Sequence, residues 1–210
     1  MGTKVDHLGL FKSSFTYTQK TILDPSQITS ANNPKQPIDL DHAFSVALSI
    51  LHSPETLIRL NPLVTDFKKL SPDSVDESKF LPLEGEPIQS PHDPTEYFQV
   101  TDTTALPLGL SNFKTTYQVA LTRLDNGCDT VVQATAGVRI DGTWRVLKGG
   151  DDAGTSENGN AGTELTLLEN AKTTCPTIFV PFISSTMGSS HKELHQHFAE
   201  KWGGELSKAP

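Results

Sequence analysis

The chain has 210 residues and a formal net charge of −8, with 35% hydrophobic and 20% charged residues. That is the size of one domain with its own core, and the composition excludes a fibrous or wholly disordered protein. An acidic chain without a basic stripe repels phosphate backbones and anionic headgroups, which argues against nucleic acid and anionic membrane surfaces as partners.

The opening residues, MGTKVDHLGL, lack the apolar core of a secretory leader. Asp6 stands where an N-myristoylation signal carries Ser or Thr. No run approaches a membrane span, so stable membrane insertion is not expected and cytoplasmic residence is. Residues 10–22 alternate as a strand does: Phe11, Ser13, Phe15, Tyr17 and Gln19 fall on one side, and Lys12, Ser14, Thr16, Thr18 and Lys20 on the other. Residues 24–38 hold three prolines and read as a loop. Asp39 or Asp41 caps a helix over 40–52, in which Leu40, Phe44, Ala47, Leu48 and Leu51 share a face. Ser53 caps a second, short helix that opens on Pro54 and ends at Asn61-Pro62.

Strands are predicted at 63–70 and 96–105, flanking a Pro-rich acidic stretch, 71–95, that reads either as an ordered flap or as a mobile loop. Residues 112–124 form a clear strand, with Phe113, Thr115, Tyr117, Val119 and Leu121 on one face. Asp125-Asn126-Gly127 reads as a hairpin turn, because Asn-Gly tolerates positive φ. The next strand runs from Asp129 to about Ile140, with Gly137 marking a bulge. Asp141-Gly142 reads as a second turn before the sheet resumes at 143–146. Residues 149–162 read as a flexible hairpin loop. A last strand is predicted at 163–173 and a helix at 177–202, with Ile183, Met187, Ser190, His191, Leu194, Phe198 and Trp202 along one stripe. Gly203-Gly204 is the expected stop.

This order predicts one α+β domain over 1–210, with a core of about 10–202 and insertions at 71–95 and 149–162. A curved antiparallel β-sheet has one face to cover, and a single long C-terminal α-helix can cover it in a helix-grip fold. A cavity remains between them wherever bulky side chains do not fill it.

Three segments carry a family resemblance: LIRLNPLV (57–64), TTYQVALTRLDNGCDTVVQATAGVRIDGTWRV (115–146) and ELTLLENAKTTCPTIFVPFISSTMGSSHKELHQHF (164–198). The chain resembles the START-like superfamily, which includes the birch pollen allergen, polyketide cyclases/dehydrases and lipid-transfer domains. Within it, the chain is similar to a fungal family of small START-like proteins. The resemblance spans roughly 40–202 and implies a buried apolar pocket. It also implies a hydrophobic ligand, such as a lipid, hormone or polyketide, and in some members cyclase, dehydratase or isomerase chemistry of the kind used in secondary metabolism. It carries no catalytic fingerprint.

Candidate chemistry comes from polar residues on faces that can turn inward. His191 lies near the apolar helix stripe and has the titration range of a general acid or base. His195 and His197 read as exposed or helix-end histidines, and Lys192 breaks the zinc-protease order, so no metal is expected. Tyr17 and Tyr117 sit on apolar strand faces, where a hydroxyl orients a ligand carbonyl or merely finds a backbone partner. Either Gln133 and Thr135 or Val132 and Ala134 face inward. Arg139 and Glu169 either pair in the cavity or lie on the surface. Asp66 and Asp102 are expected to point outward, and an inward aspartate would have a raised pKa. Cys128 and Cys175 read as ordinary thiols of a reducing compartment.

The reading is a cofactor-independent cyclase, isomerase or dehydratase acting on a small hydrophobic molecule, polyketide-like or terpenoid-like. His191, Tyr117 and Asp102 are the catalytic candidates. Tyr17, Phe15, Phe113, Gln133, Met187 and Ile183 are the ligand-binding candidates. The alternatives are a non-catalytic carrier or sensor with the same pocket, and a protein-interaction module with a filled one. Homodimerisation is compatible with all three.

Overall fold

The computed structural model describes residues 11–28, 38–81, 94–104, 112–149 and 163–208. Nearly all of the predicted loop 149–162, part of the stretch 71–95 and the opening ten residues fall outside them. The elements are β1 (Lys12–Leu23), α1 (Leu40–Leu51), α2 (Pro54–Leu60), β2 (Val64–Leu70), β3 (Glu96–Thr104), β4 (Phe113–Leu124), β5 (Gly127–Ala134), β6 (Arg139–Lys148), β7 (Leu165–Pro176) and α3 (Val180–Lys208). Seven strands form one antiparallel sheet in the order β1-β7-β6-β5-β4-β3-β2. The sheet curves around α3, which is the predicted α+β helix-grip arrangement.

Apolar periodicity explains the helices. Asp39, rather than Asp41, caps α1: its carboxylate accepts from the His42 backbone N–H at 3.1 Å. Pro54 opens α2 at a position whose N–H needs no partner. α3 is 29 residues long, about 43 Å at 1.5 Å per residue, and buries Met187, Ser190, Leu194, His195, Phe198, Trp202 and Leu206. It runs through Gly203-Gly204, correcting the predicted stop. Burial of Trp202 and Leu206 and the Trp202 Nε1–H bond to the Ala43 carbonyl, 2.9 Å, hold this stretch helical against the glycine propensity. The main core packs α1, α2 and the C-terminal half of α3 onto Leu23, Phe98, Val146, Leu165 and Leu167 of the sheet.

The glycines act differently from their predicted roles. Positive φ occurs, among the described residues, at Ala136 (58°) and Gly137 (74°), so the β5–β6 turn is Thr135–Gly137. Asp141-Gly142 lies inside β6. A Cβ on Gly142 would stand 2.4 Å from Thr130 Oγ1 on the neighbouring strand. Gly127 likewise has no positive φ, and its Cβ would meet the Trp144 carbonyl oxygen at 1.8 Å. Both glycines permit close strand approach; at Gly142 there is no chain reversal, whereas Gly127 directly follows the Asp125-Asn126 turn, where the β4–β5 hairpin reverses as predicted.

The far face of the sheet carries a smaller cluster of Phe80, Tyr97 and Ala120 under residues 72–81. Arg139 and Gln133 hold that segment through the Lys79 carbonyl, at 2.8 and 2.6 Å. The described part of the 71–95 stretch is thus docked on the face away from α3. Among the described residues no helix is long and apolar enough to cross a membrane.

Candidate functional site

Between the sheet and the N-terminal half of α3 lies a cavity of about 250 Å³. Its floor comes from side chains of one parity along β3 to β7, because successive residues of a strand point to opposite faces. Val100 and Asp102 of β3, Tyr117 and Val119 of β4, and Thr130, Val132 and Ala134 of β5 contribute, followed by Ile140 and Trp144 of β6 and Glu169 and Ala171 of β7. The roof is Ile183, Met187, His191 and Leu194 of α3, and Leu57 and Ile58 of α2 close one side. Phe182, 44% exposed, also lines the cavity, so the space meets the surface at the start of α3.

Two polar pairs interrupt the apolar wall. In the first, Glu169 is 1% exposed in the middle of β7, on the face that otherwise carries Leu165, Leu167 and Ala171. Its Oε1 lies 2.5 Å from His191 Nδ1. A carboxylate only accepts, so Nδ1 carries the hydrogen and Nε2 is the nitrogen left for the cavity. The other carboxylate oxygen faces His195 Nε2 at 3.3 Å in a poorly aligned contact. His195 is 1% exposed, with Nδ1 2.8 Å from Thr21 Oγ1 and its ring stacked on Trp144 at 5.2 Å. Burial alone would raise the Glu169 carboxyl; the His191 hydrogen bond, with the His195 ring close to the other oxygen, outweighs it and holds the group below the ordinary carboxylate range.

In the second pair, the Tyr117 hydroxyl donates to Asp102 Oδ1 at 3.0 Å. The two are neighbours on β4 and β3, where Tyr117 is opposite Val100 and Asp102 opposite Thr115. Burial pushes Asp102 up to about 6, against the opposing pulls of the Tyr117 hydrogen bond and the His191 charge. Burial, with the adjacent Asp102 charge, sends the Tyr117 phenol well above its ordinary value. The phenol therefore keeps its proton at neutral pH and donates it in a hydrogen bond to the Asp102 carboxyl.

Of the predicted site residues, His191, Tyr117, Asp102, Met187 and Ile183 line this one cavity. Tyr17 stands beside it, edge-on to the His191 ring at 5.5 Å, with its hydroxyl donating to Gln19 at 3.2 Å. Phe15 shares the α3-facing side of β1, opposite Thr173, but does not line the cavity. Phe113, 51% exposed at the start of β4, does not reach it either. Gln133 points to the far face, so Val132 and Ala134 are the inward set.

Two further expectations need correction, those for Asp102 and His195, and the open alternative for Arg139 and Glu169 is decided. Asp102 faces inward; only Asp66 of that pair is exposed. Arg139 does not pair with Glu169; it grips Asp141 on the opposite face at 2.5–3.0 Å. His195 is buried rather than exposed. Trp144 and His195 were missed, and Glu169 was weighed only as a partner of Arg139. Glu169 had a signal: it is the one acid on the apolar parity of β7. His195 follows His191 by four residues, one turn along α3.

Among the described residues, no group of three or more His, Cys, Asp or Glu side chains is arranged to hold a metal ion. Cys128 and Cys175 are free and buried, and burial pushes the Cys128 thiol up to about 12.

Comparisons with known proteins bear on kinship more than on chemistry. No curated protein matches the chain. Among solved structures, the chain is similar to TTHA0849 from Thermus thermophilus, at 13% identity over 90% of this chain and 97% of that one, with a TM-score of 0.46. It is also similar to an uncharacterized protein from Rhizobium leguminosarum, at 9% identity over 90% of this chain and 98% of that one, with a TM-score of 0.41. The family described as Domain of unknown function (DUF7053) matches residues 34–203, a span that holds every element from α1 to most of α3 and all but the β1 contribution to the site. The chain belongs to the DUF7053 family.

Proposed function

We propose that this domain is a cofactor-independent enzyme that moves protons on a hydrophobic carbonyl compound, in a cyclisation, isomerisation or dehydration. The observation that carries the reading is the convergence of two polar pairs, Glu169–His191 and Tyr117–Asp102, on one apolar cavity. A carrier needs one polar anchor; an imidazole held by a carboxylate and a carboxyl held by a phenol, facing one apolar space, are the equipment of acid–base chemistry.

His191 Nε2 takes the proton from the carbon beside the carbonyl. The electron pair moves onto the carbonyl oxygen, which receives the Asp102 proton, while Tyr117 donates to the other Asp102 oxygen. Glu169 holds the imidazole in the required tautomer and offsets the charge it gains. As the carbonyl re-forms, the enol O–H proton returns to Asp102, and His191 gives up its proton either to a different carbon, completing an isomerisation, or to a departing β-hydroxyl that leaves as water, completing a dehydration. The apolar wall folds the substrate and excludes bulk water.

The predominantly apolar wall favours a second reading, a carrier of a hydrophobic metabolite. The open cavity weighs against an interaction module with a filled core. START-like kinship and a secondary-metabolic role are part of the same proposal, as is residence in a reducing, cytoplasmic compartment, which two free buried thiols suit.

Native mass spectrometry of the purified protein, followed by denaturing extraction, identifies any molecule it carries. That molecule is then incubated with fresh protein in deuterated water. Deuterium uptake or a changed product with wild type, lost in His191→Asn and Asp102→Asn, supports the enzyme. Recovery of the molecule unchanged and undeuterated sinks it in favour of the carrier.

A further inference from the structure

No lysine or arginine among the described residues lines the cavity. Arg139 and Arg145 are engaged on the opposite face of the sheet with Asp141 and Asp129, and Arg123 holds Glu96 under the α2 end of the sheet. The wall instead carries two carboxyls, Asp102 and Glu169. Among the described residues His191 is the one basic group on it, and any positive charge there is already matched by Glu169 at 2.5 Å. His195 faces the same carboxylate from behind, beneath Trp144. Tyr17 and Tyr117 are neutral, their phenols raised by burial first and by neighbouring carboxylates second.

An organic anion entering this space finds no unmatched cation. It also meets the Asp102 carboxylate across a poorly solvated gap, where like charges repel far more than in water. An uncharged molecule pays neither penalty. Its chain packs on Val100, Val119, Val132, Ile140 and Leu194, and one oxygen can reach the Tyr117–Asp102 pair.

We infer that the cavity selects uncharged apolar molecules bearing a carbonyl or hydroxyl group and rejects fatty acids, acyl phosphates and other organic anions. This rests on the cavity being the substrate site, but it concerns charge selection, which binding reads without turnover. In reaction terms, a substrate delivered on an anionic carrier must be released from it before it enters.

The test is displacement of the neutral dye Nile red from the full chain by 2-decanone, 1-decanol and decanesulfonate, all below micelle formation. At about pH 7.5 the ketone should bind at least about thirty-fold more tightly than the sulfonate. Asp102→Asn should shrink that ratio by about ten-fold through tighter binding of the sulfonate. Should the variant fold poorly, the wild-type ratio at about pH 5, where Asp102 takes up a proton, replaces it and should shrink likewise. Sulfonate binding as tight as ketone binding overturns the inference. So does failure of both uncharged probes to displace the dye, or a ratio indifferent to Asp102 and to pH. If the selection holds while every bound carbonyl compound is recovered unchanged, charge selection stands and the proton-transfer reading falls.

Discussion

Glu169 on β7 and His191 on α3 meet at 2.5 Å across the interface between sheet and helix, and the carboxylate is almost fully buried. The contact ties α3 to the middle of β7, the strand next to the β1 edge of the sheet, at the wall of the cavity. A buried carboxylate is tolerated only when its charge is matched, so the pair joins fold stability to site chemistry.

Acid titration should expose that coupling. Glu169 is held below its ordinary value of 4.5, so the unfolded chain takes up this proton first as pH falls. Its contribution is complete above about pH 4.5 and is lost as pH drops through the folded value. Glu169→Gln should cost about 3 kcal/mol near neutral pH, and the gap to wild type should narrow at about pH 3.5. Urea unfolding at both pH values measures it; an unchanged gap would sink the buried-pair account.

Asp102 should behave with the opposite sign. Its folded value of about 6 lies above the ordinary 3.8, so the ionised form is penalised by folding. The penalty is full above about pH 6 and disappears as pH falls towards 3.8. Asp102→Asn should therefore stabilise the protein at about pH 8, by up to about 3 kcal/mol, and by almost nothing at about pH 4. The Tyr117 hydroxyl keeps an acceptor in the variant amide. Thermal unfolding across that range decides it; a destabilised variant at high pH would show that the Asp102 charge is matched rather than penalised.

If Asp102 supplies the proton, activity should fall as pH rises through about 6. The Tyr117 hydrogen bond favours the ionised form, so Tyr117→Phe should move this limb to higher pH while lowering the maximal rate by about ten-fold or more. A pH–rate profile of kcat for both proteins gives the answer. A limb that stays put assigns it to another group.

Two glycine substitutions should split in sign. Gly127→Ala places a Cβ against the Trp144 backbone carbonyl and should cost about 3 kcal/mol or prevent folding. Gly204→Ala meets nothing within 4 Å inside α3 and should add about 1 kcal/mol. Melting temperatures of the two variants check both, and equal effects would contradict the different roles read for these glycines.

Much of this architecture was legible in residue order. Period-two runs such as 112–124 and the stripe of Met187, Leu194, Phe198 and Trp202 mark strand and helix because burial on one face imposes that period. Tyr117, Met187 and His191 could be placed near a ligand space by the same rule. The turns were less legible. Asp141-Gly142 has the composition of a reversal, yet the chain reverses at Thr135–Gly137, and the glycine serves contact with Thr130 on a neighbouring strand. Residues distant in sequence decide which use a glycine has.

The sequence by itself determined the succession of elements, the α+β class, and which residues of each strand and helix share a face. Those properties follow from local periodicity and capping, as with Asp39 before α1. Only the tertiary structure decided that Glu169 takes two histidines instead of Arg139, that Asp102 turns inward to Tyr117, and that Gln133 and Phe113 lie off the cavity. Each depends on pairing between segments tens of residues apart. Periodicity says which residues share a face, whereas register and helix docking say which of them meet.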